Sequence, residues 1–467
     1  MICKLEITNT LIYITSQNYI LQHISKKFTY KDYSEAFVRG KFQKHNVKII
    51  KLLKFIDKHH AALPIGLKNE LLELLDSIGS IEYRVYDKRD NPDFNFTSDN
   101  IKNCLKEPLR DYQIEAVQSF LKHKNTIIKG ATGSGKTKIM AAIVKLLNKK
   151  ALILMHKKDL VHQTYRRFVD DGIQDVGFVQ GNNFKDGNIL LATIQSSHKI
   201  DPDFIKTAEL VIVDECQHAN APTFQTVLML ANNARYRLGL SATPFNKNKL
   251  HNARVKAWIG DIGFDLGAKK LVEAGWLAKP LIKLVPIKKV EIVNSKGRRR
   301  KVDIEEYSWI GAERNGVIKN MIRNEKIASI AKFSKKPVLI LVKSIKHGEF
   351  LKSMIDNSTY IHGDTSLEDR KKIIEEFEKH KIPVLIASTI LDEGIDIINI
   401  KSLIVAAGGK SFIKTIQRLG RALRKSPTKD KVYIYDFLDK TNRLLERHSY
   451  ERIKAYEREG FTDIEVI

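Results

Sequence analysis

Cysteine is scarce in this chain: Cys3, Cys104 and Cys216 are the whole set, with no CxxC pair. That excludes a disulfide framework and a zinc ribbon or finger, and it fits a reducing compartment. Long hydrophobic runs are missing as well. The longest, such as 151–155 and 338–342, have the length of a β-strand, and the first thirty residues interleave Glu6, Asn9, Thr10 and Gln17 with apolar positions. Neither a signal peptide nor a membrane span is expected from such a pattern. No internal repeat, low-complexity tract or nuclease motif stands out. Acidic residues are in deficit, 54 against 80 lysines and arginines, for a net charge of +26. A field of that sign holds polyanions through phosphate contacts and counterion release, so nucleic acid leads among partners, although charge alone also suits an anionic membrane.

With 43% apolar and 29% charged residues the composition is that of a globular protein. Its 467 residues exceed what one hydrophobic core organises, so two or three domains are expected. From about 109 to 245, short β-rich runs (126–128, 151–155, 189–193, 210–213, 237–240) alternate with helical stretches such as 137–149. A second series, 338–342, 384–387, 402–406 and 431–437, is separated by amphipathic segments such as 367–380. Both have the rhythm of doubly wound parallel sheets. Ahead of them, early β alternation, a Lys-rich helical stretch near 46–58, a helix at 67–78 and the closing IEYRVYDKRD suggest a separate α+β domain. Between the two series, 281–309 reads as a β-hairpin turning at NSKG, 294–297, and running into Arg298, Arg299, Arg300 and Lys301.

GATGSGKT at 130–137 follows the strand-like NTIIK and precedes a helix, the setting a phosphate-binding loop requires. Backbone N–H groups of 133–137 would cradle the β-phosphate of ATP, Lys136 would pair with the β and γ oxygens, and Thr137 would ligate Mg²⁺. Gly133 and Gly135 leave room for the backbone to approach, with Thr132 and Ser134 completing the loop. LVIVDECQH at 210–218 is a buried strand ending in two carboxylates, where open α/β sheets place ligands. Asp214 suits the Mg²⁺ shell, and Glu215 suits a base that orients the attacking water. Cys216 reads as packing.

These motifs resemble the superfamily 2 helicases of the DExH type over residues 109–425. LRDYQ at 109–113 is similar to an adenine-contacting motif, which points to Arg110 and Gln113. ATIQS at 192–196 and LMHKKDLVHQ at 154–163 resemble strand-tracking motifs, and the resemblance implies phosphate contacts from Thr193 and Gln195. SATP at 241–244 resembles the motif that links hydrolysis to nucleic-acid contact, and Gln217 is a candidate γ-phosphate sensor. IHGD at 361–364, ASTILDEGIDI at 387–397 and QRLGRALR at 417–424 follow in the family's order. They imply Gly394 and Asp396 at the nucleotide and Arg421 and Arg424 as arginine fingers, whose fixed donor fork meets phosphate as a lysine cannot. Asn246 stands where relatives carry a basic residue, so no contact is expected there.

The implied fold is α/β: two tandem RecA-like P-loop domains, parallel sheets with flanking helices, plus a small N-terminal α+β domain. The expected boundaries are 1–105 for an accessory, DNA-recognising domain, 106–280 for the first ATP-binding domain, 281–325 for a linker with the basic hairpin, and 326–467 for the second domain. EAGWLAKP at 273–280 and RNGVIKNMIRNEKI at 314–327 resemble the XPB-like branch and its phage UvsW-type branch-migration helicases. That implies ATP-dependent work on duplex or branched DNA, with single strands as a further partner, by a monomer in the cytoplasm, the host's if a phage encodes it. Lys, Ile and Asn richness suits an AT-rich genome of that kind. Arg298 to Lys301 would contact phosphates near a junction. Phe28, Tyr30, Tyr33, Phe37, Phe42, Tyr83 and Tyr86 could stack on bases or fill a core. An RNA helicase, the motor subunit of a restriction enzyme, and an ATP-gated binding module without turnover remain as alternatives.

Overall fold

The computed structural model describes residues 2–33, 37–38, 41–42, 47–79, 81–89, 94–131, 133–294, 296–388, 399–409 and 429–467. The chain divides into two compact units, Met1–Gly130 with Gly135–Leu266, and Ala131–Ser134 with Gly267–Ile467. Among the described residues no helix is long and apolar enough to cross a membrane.

The first unit is built on an eight-stranded sheet. From edge to edge its strands are Asn183–Lys185, Val176–Gln180, Ile189–Thr193, Ala151–Met155, Leu210–Asp214, Tyr236–Ser241, Asn125–Gly130 and Ile262–Leu266. All pairs are parallel except the first. Helices on both faces explain why Ala151–Met155 and Ile189–Thr193 are apolar and buried along nearly their whole length instead of alternating. The order places the ends of Leu210–Asp214, Tyr236–Ser241 and Asn125–Gly130 side by side, which positions the site described below.

The N-terminal region adds a five-stranded sheet, Lys54–Phe55, His60–Pro64, Leu11–Thr15, Ile2–Ile7 and Glu82–Asp87, with helices Asn18–Lys27 and Lys68–Ile78. Here the structure departs from the sequence reading twice. The stretch expected to be helical near 46–58 is extended: Lys48–Lys51 pairs antiparallel with Thr29–Asp32, and Lys54–Phe55 with Ala61–Ala62. A short apolar run such as KIIKLLKFI fits either period, and pairing decides it. Nor is this region a body apart. Leu5, Ile14 and Leu63 belong to one continuous apolar cluster with Ile127, Val211 and Trp258 of the larger sheet's layers.

Polar contacts fasten the same seam. Arg237, buried, donates from Nη2 to Thr10 Oγ1 at 3.1 Å and to Ala231 O at 2.8 Å. Lys256 Nζ pairs with Glu70 at 2.8 Å. The turn Ile65–Leu67 lies so close to the helix Lys249–Ile259 that a Cβ at Gly66 would stand 1.9 Å from Lys256 O.

The second unit holds a seven-stranded, all-parallel sheet ordered Ser358–Ile361, Val384–Ala387, Val338–Leu341, Ser402–Val405, Lys431–Asp439, Lys279–Ile287 and Ile464–Val466. Lys279–Ile287, expected to open a linker, is a long strand of this sheet. Its alternation is that of a strand with only one face in the deep core. The hairpin is correspondingly shorter than expected, Glu291–Val293 against Arg299–Lys301.

Candidate nucleotide site

The phosphate loop leaves the strand Asn125–Gly130 and enters the helix Lys136–Leu147. Gly133 and Gly135 take φ of +91° and +76°, a region that strains any side chain. At Gly135 a Cβ would also lie 2.4 Å from Gln113 Nε2, so the missing side chain lets the helix Asp111–His123 bring Gln113 against the loop. Gln113 is buried and its Oε1 accepts the Arg110 backbone N–H at 3.0 Å. Arg110 Nη1 donates to the Tyr112 hydroxyl at 3.0 Å. Of the two residues expected at the adenine, Gln113 therefore stands against the phosphate loop, and Arg110 is tied to it through its backbone N–H.

Lys136 Nζ donates to Gly130 O at 3.2 Å and lies 4.0 Å from Glu215 Oε1. Asp214 closes the strand Leu210–Asp214, and Glu215 follows at φ +52°, ψ +55°. A non-glycine residue there stores about 1–2 kcal/mol of strain. In return both carboxyls stay at the strand's end instead of alternating to opposite faces. Burial raises the Asp214 carboxyl above the usual carboxylate range, the Glu215 charge adds to that, and Lys136 opposes it. Thr137 sits half-buried on the first helical turn. Two carboxyls beside Lys136, with the Thr137 hydroxyl next in sequence to that lysine, are a hard oxygen donor set that fits Mg²⁺.

From Glu215 a hydrogen-bonded chain runs onward. Gln217 Nε2 donates to Glu215 Oε2 at 2.9 Å, Ser241 Oγ donates to Gln217 Oε1 at 2.5 Å, and the Thr243 N–H donates to Ser241 Oγ at 2.9 Å. The registers Asp214↔Leu240 and Lys129↔Ser241 bring these segments level. Cys216 is buried, and burial above all pushes its thiol pKa well up, which leaves it a packing residue.

One neighbour escaped the sequence reading. The His218 ring stacks on His156, centroids 4.0 Å apart and planes 9° from parallel. Burial, then the His156 ring, lowers the His218 pKa. No sequence signal announced the contact, since it depends on the pairing of Ala151–Met155 with Leu210–Asp214, beyond whose ends the two rings lie.

Thr193 is buried with its hydroxyl donating to Ser196 Oγ at 2.9 Å, so the side chain expected on phosphate faces inward, while Gln195 is exposed. On the hairpin, Arg298, Arg299, Arg300 and Lys301 are all exposed. Arg299 pairs with Glu325 at the surface; Arg298, Arg300 and Lys301 form no ion pair among the described residues. Of the N-terminal aromatics, Phe28 is buried, Tyr83 donates to Asp76 Oδ1 at 2.8 Å, Tyr30 is half-buried, and Tyr33 and Tyr86 are exposed. Thr132, Gly394, Asp396, Arg421, Arg424 and the side chains of Phe37 and Phe42 lie outside the described residues.

In the second unit, Arg323 Nε donates to Asp439 Oδ1 at 3.0 Å and its Nη1 to Ala406 O at 2.8 Å. Arg452 Nε donates to Asp436 Oδ2 at 3.0 Å and its Nη1 to Gly409 O at 3.1 Å. These buried pairs hold the loop Ala406–Gly409, and no motif announced them.

Residues 106–246 match the type III restriction enzyme res-subunit family, and 320–426 match the helicase conserved C-terminal domain. The chain is 28% identical over 369 residues to a helicase-named protein of Sulfolobus islandicus filamentous virus, covering 71% of this chain and 64% of that one. It therefore spans just under two thirds of that relative. It is 26% identical to the DNA 3'-5' translocase XPB2 of Sulfurisphaera tokodaii, over 68% of this chain and 79% of the relative. To the ATP-dependent DNA helicase uvsW of Enterobacteria phage T4 it is 24% identical, over 86% and 87%. An HsdR-subunit fragment of a type I restriction enzyme from Vibrio vulnificus shares the fold at TM-score 0.58 and 17% identity, over 80% of this chain and 72% of that one. Two parallel-sheet units that carry these two domains in this order make the chain a member of the superfamily 2 helicases, with tandem RecA-like domains.

Proposed function

We propose that this chain is an ATP-hydrolysing DNA motor, a helicase or translocase working on duplex or branched DNA in branch migration or fork regression. The observation that carries the reading is the continuous path Lys136–Glu215–Gln217–Ser241–Thr243, from the phosphate-loop lysine to the SATP loop. In this reading Lys136 neutralises charge on the β and γ oxygens, Glu215 orients and deprotonates water, and Gln217 reports the state of that carboxylate to Ser241. Thr137 and Asp214 would hold Mg²⁺, which when bound supplies charge stabilisation to the phosphoanhydride. Arg110 and Gln113 serve the adenine end, with Gly394, Asp396, Arg421 and Arg424 as the second domain's contribution. Gln195 and the hairpin cations contact the DNA backbone. The net charge of +26 favours a nucleic acid, and the DNA-acting relatives favour DNA as the polymer.

ATP hydrolysis measured with no polymer, single-stranded DNA, duplex DNA, a four-way junction and structured RNA tests the proposal. Strongest stimulation by duplex or junction is expected. Stimulation confined to RNA would overturn the substrate, and a rate indifferent to every polymer would overturn the motor.

A further inference from the structure

The second unit contains a pocket of about 470 Å³ whose walls include Trp309, Lys343, Gly409, Arg447 and His448. It lies past the carboxyl ends of three neighbouring parallel strands, Val338–Leu341, Ser402–Val405 and Lys431–Asp439, because Lys343 follows the first, Gly409 the second and Arg447 the third. After Val338–Leu341 the next strand in sequence lies on one side, Ser358–Ile361, whereas after Ser402–Val405 it lies on the other, Lys431–Asp439. Connections that diverge in this way leave a crevice, and that is where open α/β sheets bind ligands.

The lining is suited to a base and a phosphate. Trp309 is half-buried, one side packed on the cluster of Val290, Ile304 and Leu445, and its ring meets His448 edge-on at 4.5 Å. Gly409, at φ +104°, lies alongside: a Cβ there would stand 3.8 Å from the indole, so among the described residues the glycine leaves that side uncovered. Lys343 sits 5.7 Å from the Trp309 ring centre but is paired with Glu313 at 2.7 Å. Arg447, exposed in the second turn of the helix Arg443–Arg458, forms no ion pair among the described residues. With Lys343 offset by Glu313, the described lining balances about one negative charge, which matches a phosphodiester.

We infer that this pocket binds one unpaired nucleotide of a DNA strand, the base stacked on Trp309 and the phosphate on Arg447. The inference rests on the proposed reading of the chain as a DNA motor and adds to it a place where a separated strand is held. Neither residue belongs to a motif that the nucleotide site uses.

The test is binding of oligothymidine followed by tryptophan emission and by salt titration. Wild type should show quenching that Trp309→Phe lacks while keeping most of its affinity, since a phenyl ring still stacks. Trp309→Ala should bind about tenfold or more weakly. Arg447→Gln, an exposed change that leaves the core alone, should bind several-fold more weakly and lower the log–log salt slope by about 0.7. Its polymer-free ATP hydrolysis should equal wild type. Unchanged affinity in both Trp309→Ala and Arg447→Gln, with wild type binding normally, would overturn the site and leave the motor reading intact. Equal quenching by thymidine monophosphate at the same nucleotide concentration would make this a free-nucleotide pocket and overturn it too. A wild type that binds no DNA would remove the reading on which the site depends.

Discussion

Gly66→Ala tests whether the N-terminal region shares one core with the first motor domain. The added methyl would lie 1.9 Å from Lys256 O, 2.7 Å from Gly260 N and 2.9 Å from Ala257 O, all backbone atoms at the end of one helix. Carbon and carbonyl oxygen in contact stand about 3.3 Å apart, so the turn and the helix must separate by more than an ångström. The turn cannot yield by rotating a side chain, and Ile65 and Leu67 on either side are buried. Forced separation of packed elements costs about 1–3 kcal/mol, sometimes more. At about 2–4 °C per kcal/mol for a unit of this size, the melting temperature should fall by about 2–12 °C. Gly267→Ala is the control, because its φ is −65° and nothing lies within 4 Å of its Cβ. That variant should stay within about 0.5 kcal/mol of wild type. Differential scanning fluorimetry with limited proteolysis reads both. A Gly66→Ala protein that melts with wild type and releases no N-terminal fragment would refute the shared core.

Ser241→Ala removes the donor that steadies Gln217, and polymer-stimulated turnover should fall about 10- to 100-fold with the KM for ATP unchanged; a KM effect alone would contradict the path from Glu215. Neutralising Arg298, Arg300 and Lys301 together should reduce the salt slope of DNA binding by about 0.9 for each phosphate left without its cation, whereas Arg299→Gln, already engaged by Glu325, should change it less. His347 is buried with Nε2 2.9 Å from Asn324 Oδ1, and burial, then the Arg323 charge, pushes its pKa down to about 3. An unfolded chain takes up that proton near pH 6.5, so the stability the neutral ring supports is full above about 6.5 and declines by about 1.4 kcal/mol per pH unit toward 3. His347→Gln should therefore flatten the dependence of melting temperature on pH across that window, and an unchanged slope would sink the assignment.

Legibility in the sequence followed how local each feature is. Buried parallel strands such as 151–155 and 210–213 stand out because both faces are covered and the apolar run is nearly unbroken. The phosphate loop is equally plain, since its glycines, lysine and threonine fall within eight residues. The Gln217–Ser241 bond was not legible, because it spans 24 residues and depends on a strand register that no motif encodes. Trp309 and Arg447 line one pocket from segments far apart in the chain, and each alone reads as an ordinary aromatic and an ordinary surface cation. The N-terminal misreadings share a cause: KIIKLLKFI satisfies two periodicities, and apolar residues do not reveal whether they pack within a sheet or across to the next one. Thr193 shows a different limit, since a motif names a residue and leaves its rotamer to the neighbouring Ser196.

The most direct test of the central claim is conversion of a homologous four-way junction into two duplexes, followed over time with ATP and with no nucleotide, in wild type, Lys136→Ala and Glu215→Gln. The account predicts conversion by wild type with ATP alone, no ATP binding in Lys136→Ala, and a Glu215→Gln protein that binds ATP and junction but converts nothing. Conversion without ATP, or conversion by Glu215→Gln at the wild-type rate, would contradict it.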